Sequence, residues 1–222
     1  MGEPKRPSKA STAHEREQER RQVDRIAFFS DAVFAIAMTL LIVDIQLPAL
    51  PENPTAGQLW DAIWSLESQF ISYVTSFLVI AIYWNSHHRL FRYIERYDQV
   101  FVWLNILLLM GIAFIPFPTS VFGDYSGNRS AVVFYAATMV YVSAMWAAVW
   151  WYASANGRLI DDELSTATVS RIQGAVLAPA VVFALSIAAA YFEPRWTPYT
   201  WLLLIPIGRF MGHRAGRRGG SQ

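Results

Sequence analysis

Six apolar stretches, residues 26–47, 69–85, 100–120, 130–153, 172–192 and 197–211, dominate this chain, and each approaches or meets the length of a helix that crosses a bilayer. A crossing segment in hydrocarbon must satisfy its own backbone, so this pattern restricts the fold to a bundle of membrane helices. The last run is short and is interrupted by Pro206. The gaps PALPENPTAG, FGDYSGNRS and FEPRWTP are rich in turn-forming residues. Within 48–68, QLWDAIWSLES alternates at helical spacing and predicts a short amphipathic helix along the interface. The sequence shows no internal repeat.

Charge supports the same division. Hydrophobic residues make up 54% of the chain and charged ones 16%, and the charges gather at the ends. This predicts a charged tail over 1–24, a membrane domain over 25–211 and a basic, disordered tail over 212–222. The first 22 residues contain no apolar run, so no secretory signal is expected there. Of the 18 Lys/Arg, all but Arg129 and Arg195 fall in the two tails or in the loops after the second and fourth spans. The positive-inside rule therefore puts both termini in the cytoplasm, and an even number of spans follows. Trp60, Trp64, Trp196 and Trp201 fall near the outer interface, and Trp84, Trp103, Trp150 and Trp151 near the inner one. There is no cysteine, which excludes disulfides, thiolate metal sites and cysteine nucleophiles. A net charge of +1 gives no reason to expect nucleic acid as a partner.

The first span carries the most pattern. On a helical wheel Phe29, Ala32, Ile36, Leu40, Val43 and Leu47 fall within about 40° of one line, while Asp31 lies almost opposite. Thr39 sits on the flank of this stripe, and Asp44 near its outer end. Periodicity alone leaves the stripe open between a lipid-facing or packed surface and a functional one. Asp31 needs a partner, because an ionised carboxylate near lipid costs several kcal/mol. Arg25, Ser30, Asp31, His87, His88 and Asn105 all lie at the cytoplasmic third of the first three spans, where a bracing network can form. A histidine there can instead act as a pH-sensitive element. Metal binding by His87 and His88 is disfavoured, since helical neighbours point about 100° apart and no carboxylates complete a site.

The segment RIAFFSD at 25–31, with Arg25 three residues before Phe29, Ser30 and Asp31, is followed by AVFAIAMTLLIV. Together with WNSHHRLF at 84–91, Asn105 and FIPFPTS at 114–120, it resembles the transmembrane protein 175 family of potassium channels, in particular its prokaryotic members. The resemblance spans residues 22–211. It implies an all-α integral protein of the prokaryotic cell membrane, with six transmembrane helices per subunit and a homotetramer whose first helix lines a central pore. It further implies that Ile36 forms the constriction, with Leu40 and Val43 as the next apolar rings and Thr39 contributing to potassium selectivity. Arg25, Phe29, Ser30 and Asp31 would then brace the pore helix, with one of His87 and His88, and with Asn105. Val43 stands where other members carry leucine, so the outermost ring is expected to be wider.

The expected function is passive, moderately selective potassium conduction without a cofactor. No TVGYG-like segment is present, so a carbonyl filter is excluded and narrow apolar rings are left to gate by dewetting. A proton-permeable channel or a secondary transporter is the alternative. A transporter would use helices broken at Pro179 and Pro206 around a charged midplane site, and no span carries a charge there. An enzyme would have to be built on His87, His88, Glu95 and Asp98, which lack a nucleophile.

Overall fold

The computed structural model describes residues 9–161, 164–192 and 201, and every regular element among them is helical. The first helix, α1 (Lys9–Leu40), starts well inside the charged segment and runs without a break through residue 24, where the sequence suggested a boundary. Ala, Glu, Gln and Arg are strong helix formers, so a polar stretch of them prolongs an apolar helix. Its C-terminal end comes earlier than that of the apolar run. Residues 41–44 are turns, with Val43 N–H bonded to Leu40 O at 3.1 Å and Ile45 N–H to Ile42 O at 3.2 Å.

The amphipathic segment forms α2 (Ala56–Trp64), started by Thr55, which accepts from Gln58 N–H while Gln58 accepts from Thr55 N–H. Ala62 faces inward, and Trp60 and Trp64 are exposed. A 47° bend leads into α3 (Glu67–Phe91). The third apolar run is divided into α4 (Gln99–Phe114) and α5 (Pro116–Asp124). Pro116 causes the division, since it has no N–H to continue the ladder and its ring crowds the preceding turn. Then follow α6 (Arg129–Ser154), capped by Asn128, and α7 (Thr166–Ala190), capped by Ser165 and containing Pro179. Between them Asn156 and Gly157 take positive φ angles of 56° and 66°, which turn the chain back.

Three helical stretches, Gln99–Asp124, Arg129–Gly157 and Thr166–Ala190, are long and apolar enough to cross a bilayer, and the bent pair of α2 and α3 makes a fourth. The protein is an integral membrane protein. Apart from Trp201, the sixth apolar run, 197–211, lies outside the described residues, as do Pro206 and the basic tail at 212–222.

α6 is the hub. It packs along α7, α4 and α5, while α1 packs on α3 and α4. Two glycines set the spacing: a Cβ on Gly111 would lie 2.8 Å from Tyr141 Cε1, and one on Gly123 would lie 2.6 Å from Ser72 Oγ. The α4–α6 and α3–α5 contacts therefore need a missing side chain. Buried hydroxyls pair across the helices: Thr119 donates to Ser76 Oγ at 2.9 Å, and Ser76 donates to Tyr135 OH at 3.0 Å. Trp201, placed near the outer interface by sequence, is instead buried, stacked on Tyr135 at 4.5 Å and bonded to Ser186 Oγ at 3.0 Å.

The loop after α3 closes one end of the bundle. Ile94 bridges to Ile160, Glu95 N–H meets Leu159 O at 2.9 Å, and Asp98 caps α4 by accepting from Phe101 N–H at 2.8 Å. Asp98 also accepts from Tyr152 OH at 2.7 Å. Burial pushes its carboxyl upward, but the Phe101 amide, the Tyr152 hydroxyl and the nearby Arg158 outweigh that and hold it below the usual carboxylate range. Glu95 lies 3.9 Å from Arg20. The two acids of the enzyme reading thus serve as a helix cap and an ion-pair partner.

Candidate functional site

The two faces of α1 have opposite fates. Val23, Ser30, Phe34, Ala37 and Leu41 are buried, at the 3-and-4 spacing of a packed helix face. On the other side Phe29 is 60% exposed, Ile36 57%, Leu40 44% and Val43 59%. Ala32 and Thr39 are exposed with them. This apolar stripe, on a helix whose back is packed against the bundle, is left open to lipid or to another chain. Thr39 donates its hydroxyl hydrogen to Ile36 O at 2.8 Å, which leaves its oxygen lone pairs on the exposed flank. Val43 lies past the helix end, in the turn, so it is not one further helical step along the stripe.

Behind the stripe lies a buried polar chain. Ser30 donates to Ile26 O at 2.8 Å and accepts from Asn105 Nδ2 at 3.0 Å. Asn105 Oδ1 is 3.0 Å from His87 Nε2. With the other roles fixed, His87 is the donor of that bond and carries its proton on Nε2. Its ring stacks on Phe91 at 4.3 Å and touches Phe34 and Trp146. α1, α3 and α4 are thereby joined through three side chains that are almost fully buried.

The remaining motif residues are distributed differently. Asp31 is half-buried and accepts from Trp84 Nε1 at 2.9 Å, a separate tie between α1 and α3. His88 is exposed, with its ring 6.0 Å from that of Trp84. Arg25 is exposed and makes no hydrogen bond or ion pair with the described residues. Phe29 belongs to the bare stripe and not to the buried chain. Trp84 was missed in the sequence, where it read as an interfacial tryptophan; its position three residues before His87, on the same side of α3, was the available signal. Among the described residues no group of three or more His, Cys, Asp or Glu comes together to hold a metal.

Comparison with known proteins places these residues in context. The family described as "Endosomal/lysosomal potassium channel TMEM175" matches residues 25–116. A potassium channel of Streptomyces collinus is 38% identical over 158 residues, 68% of this chain and 75% of that protein. The chain belongs to the TMEM175 family. A potassium channel of Chamaesiphon minutus is 34% identical over 157 residues, 69% of this chain and 77% of its own length. The crystal structure of a lysosomal potassium-selective channel TMEM175 homolog from the same organism superposes with a TM-score of 0.74 at 27% identity, covering 88% of this chain and 99% of that one. The TMEM175 match begins at Arg25 and ends at Pro116, so it contains the stripe and the whole polar chain. The family and these relatives are ion channels and not enzymes.

Proposed function

We propose that this chain is one subunit of a homotetrameric, six-span potassium channel in a prokaryotic cell membrane, with α1 of each subunit facing a shared axis. The bare stripe of α1 carries the reading: Ile36, Leu40 and Val43 are exposed although the opposite face of the same helix is packed. The names of the relatives supply the ion. The sixth span is assigned to 197–211, and with it both termini are cytoplasmic.

Four copies of Ile36 form the constriction in this arrangement, with Leu40 and Val43 as wider rings toward the outside. Such rings offer no ligand to replace water, so they close by dewetting, and when open they favour the cation that gives up hydration more cheaply, potassium over sodium. Thr39, with its hydrogen already committed to Ile36 O, presents acceptor oxygens to a passing cation. The Ser30–Asn105–His87 chain and the Asp31–Trp84 bond hold the back of α1, which fixes how far Ile36 reaches toward the axis. Arg25 supplies positive charge at the cytoplasmic entrance, and Phe29 widens the apolar lining below Ile36.

Reconstitution into liposomes tests this. Potassium efflux down its gradient, with no coupling ion and with slower sodium flux, is the expected result. Flux that requires a second substrate or a proton gradient would point to a transporter.

A further inference from the structure

α3 has two faces as different as those of α1. Ser76, Ile80, Tyr83 and His87 turn inward, and on the opposite line Ile71, Val74, Leu78, Asn85, Arg89 and Arg92 are all exposed. These six follow one another at the spacing of a single helical face. The character of the line changes once along its length. Its first half is aliphatic, and from Asn85 onward it offers an amide and two guanidiniums, with no carboxylate. Arg89 donates to Ser86 Oγ at 2.9 Å, a neutral partner, and the Arg92 side chain makes no hydrogen bond or ion pair with the described residues. Asp31, Glu95 and Asp98 are engaged elsewhere, with Trp84, Arg20 and the start of α4. Two cations one turn apart repel each other unless an anion meets both. A helix C-terminus favours a cation by itself, but that gives no reason for two of them to share a line with an amide and an aliphatic track.

We propose that this line seats one anionic phospholipid, with its phosphate held between Arg89 and Arg92 and its acyl chains along Leu78 and Val74. The fit is both chemical and dimensional. Guanidinium groups bind phosphate oxygens through paired N–H donors, and arginine stems lie along apolar surface while their heads reach the headgroup level. Leu78 precedes Arg89 by a rise of about 16 Å along the helix axis, close to half of a hydrocarbon core of about 30 Å. With the phosphate at Arg89, the chains of one leaflet therefore end between Leu78 and Val74. Basic sites on the membrane helices of other proteins bind anionic headgroups by the same chemistry. The binding follows from the chain being an integral membrane protein and does not depend on the channel reading.

The test measures binding without flux. The full chain in a neutral maltoside detergent is melted by intrinsic fluorescence against increasing dioctanoylphosphatidylglycerol, against dioctanoylphosphatidylcholine and against inorganic phosphate. The expected result is a saturable rise in melting temperature with phosphatidylglycerol and none with the other two. In the double variant Arg89→Gln, Arg92→Gln the midpoint of that rise should move up at least about tenfold, as two charge-assisted contacts are lost. Arg171→Gln, which removes the same charge near the start of α7, should leave it in place. No rise in the parent, an equal rise with phosphatidylcholine or with phosphate alone, or an unchanged rise in the double variant would each overturn the proposal. So would a double variant that keeps the lipid response but loses oligomer on size exclusion, which would give this face to a second copy of the chain.

Discussion

Ile36 and Thr39 lie three residues apart on the same bare side of α1, and the account assigns them different work. Ile36→Asn should give a leaky pore with reduced potassium preference, read as a shift of reversal potential toward zero in asymmetric potassium and sodium; unaltered currents would remove Ile36 from the constriction. Thr39→Val keeps the shape but removes the outward oxygen, and should lower selectivity while leaving conduction intact. Asn105→Ala tests the support behind them. It leaves His87 Nε2 and Ser30 Oγ without their partner, which costs about 1–3 kcal/mol in buried protein sites and nearer the low end between membrane helices. A lower melting temperature with an unaltered tetramer fraction is the expected result. Asp98 gives a pH signature outside the membrane. Its native carboxyl ionises below the unfolded range near 3.9, so its stabilisation is fully present above that value and is lost as pH falls through the native one. Asp98→Asn keeps an N-cap residue but removes the charge; its melting temperature should fall less than that of the parent between about pH 5 and 3.

The elements show what hydropathy reports and what it does not. The second through fifth apolar runs became α3, the α4 and α5 pair, α6 and α7, because an apolar run of that length has few alternatives to a helix in hydrocarbon. Ends were less legible. α1 extends back to Lys9 and α3 on to Phe91, since Glu, Arg and Gln are polar yet strong helix formers, and hydropathy registers only the polarity. The interruption at Pro116 was visible as a proline, yet the surrounding run remained apolar enough to read as one span. The choice between His87 and His88 was not legible in the same way: it depends on how α3 is rotated against α1, and only the buried line of Ser76, Ile80, Tyr83 and His87 settles it. Helix contacts yield a prediction of their own. Gly111→Ala forces Tyr141 or Val142 aside at the α4–α6 contact and should destabilise the subunit by about 1–3 kcal/mol, the usual cost of overpacking. An unchanged melting temperature would show that the two helices part freely.

For the whole molecule, the described residues account for packing and polar bonding but leave apolar helix faces bare, that of α1 among them. The stripe read from the sequence is among the surfaces the fold leaves uncovered, and it lies inside the segment that matches the TMEM175 family. The assembly can be tested directly because the chain contains no cysteine, so a single introduced thiol reports on its own neighbours. The decisive measurement is oxidative crosslinking of Ile36→Cys in reconstituted membranes, with Val181→Cys on the exposed side of α7 as the reference. The account predicts rapid disulfide-linked dimers at position 36 and few at 181; monomers at position 36 under conditions that crosslink position 181 would contradict it.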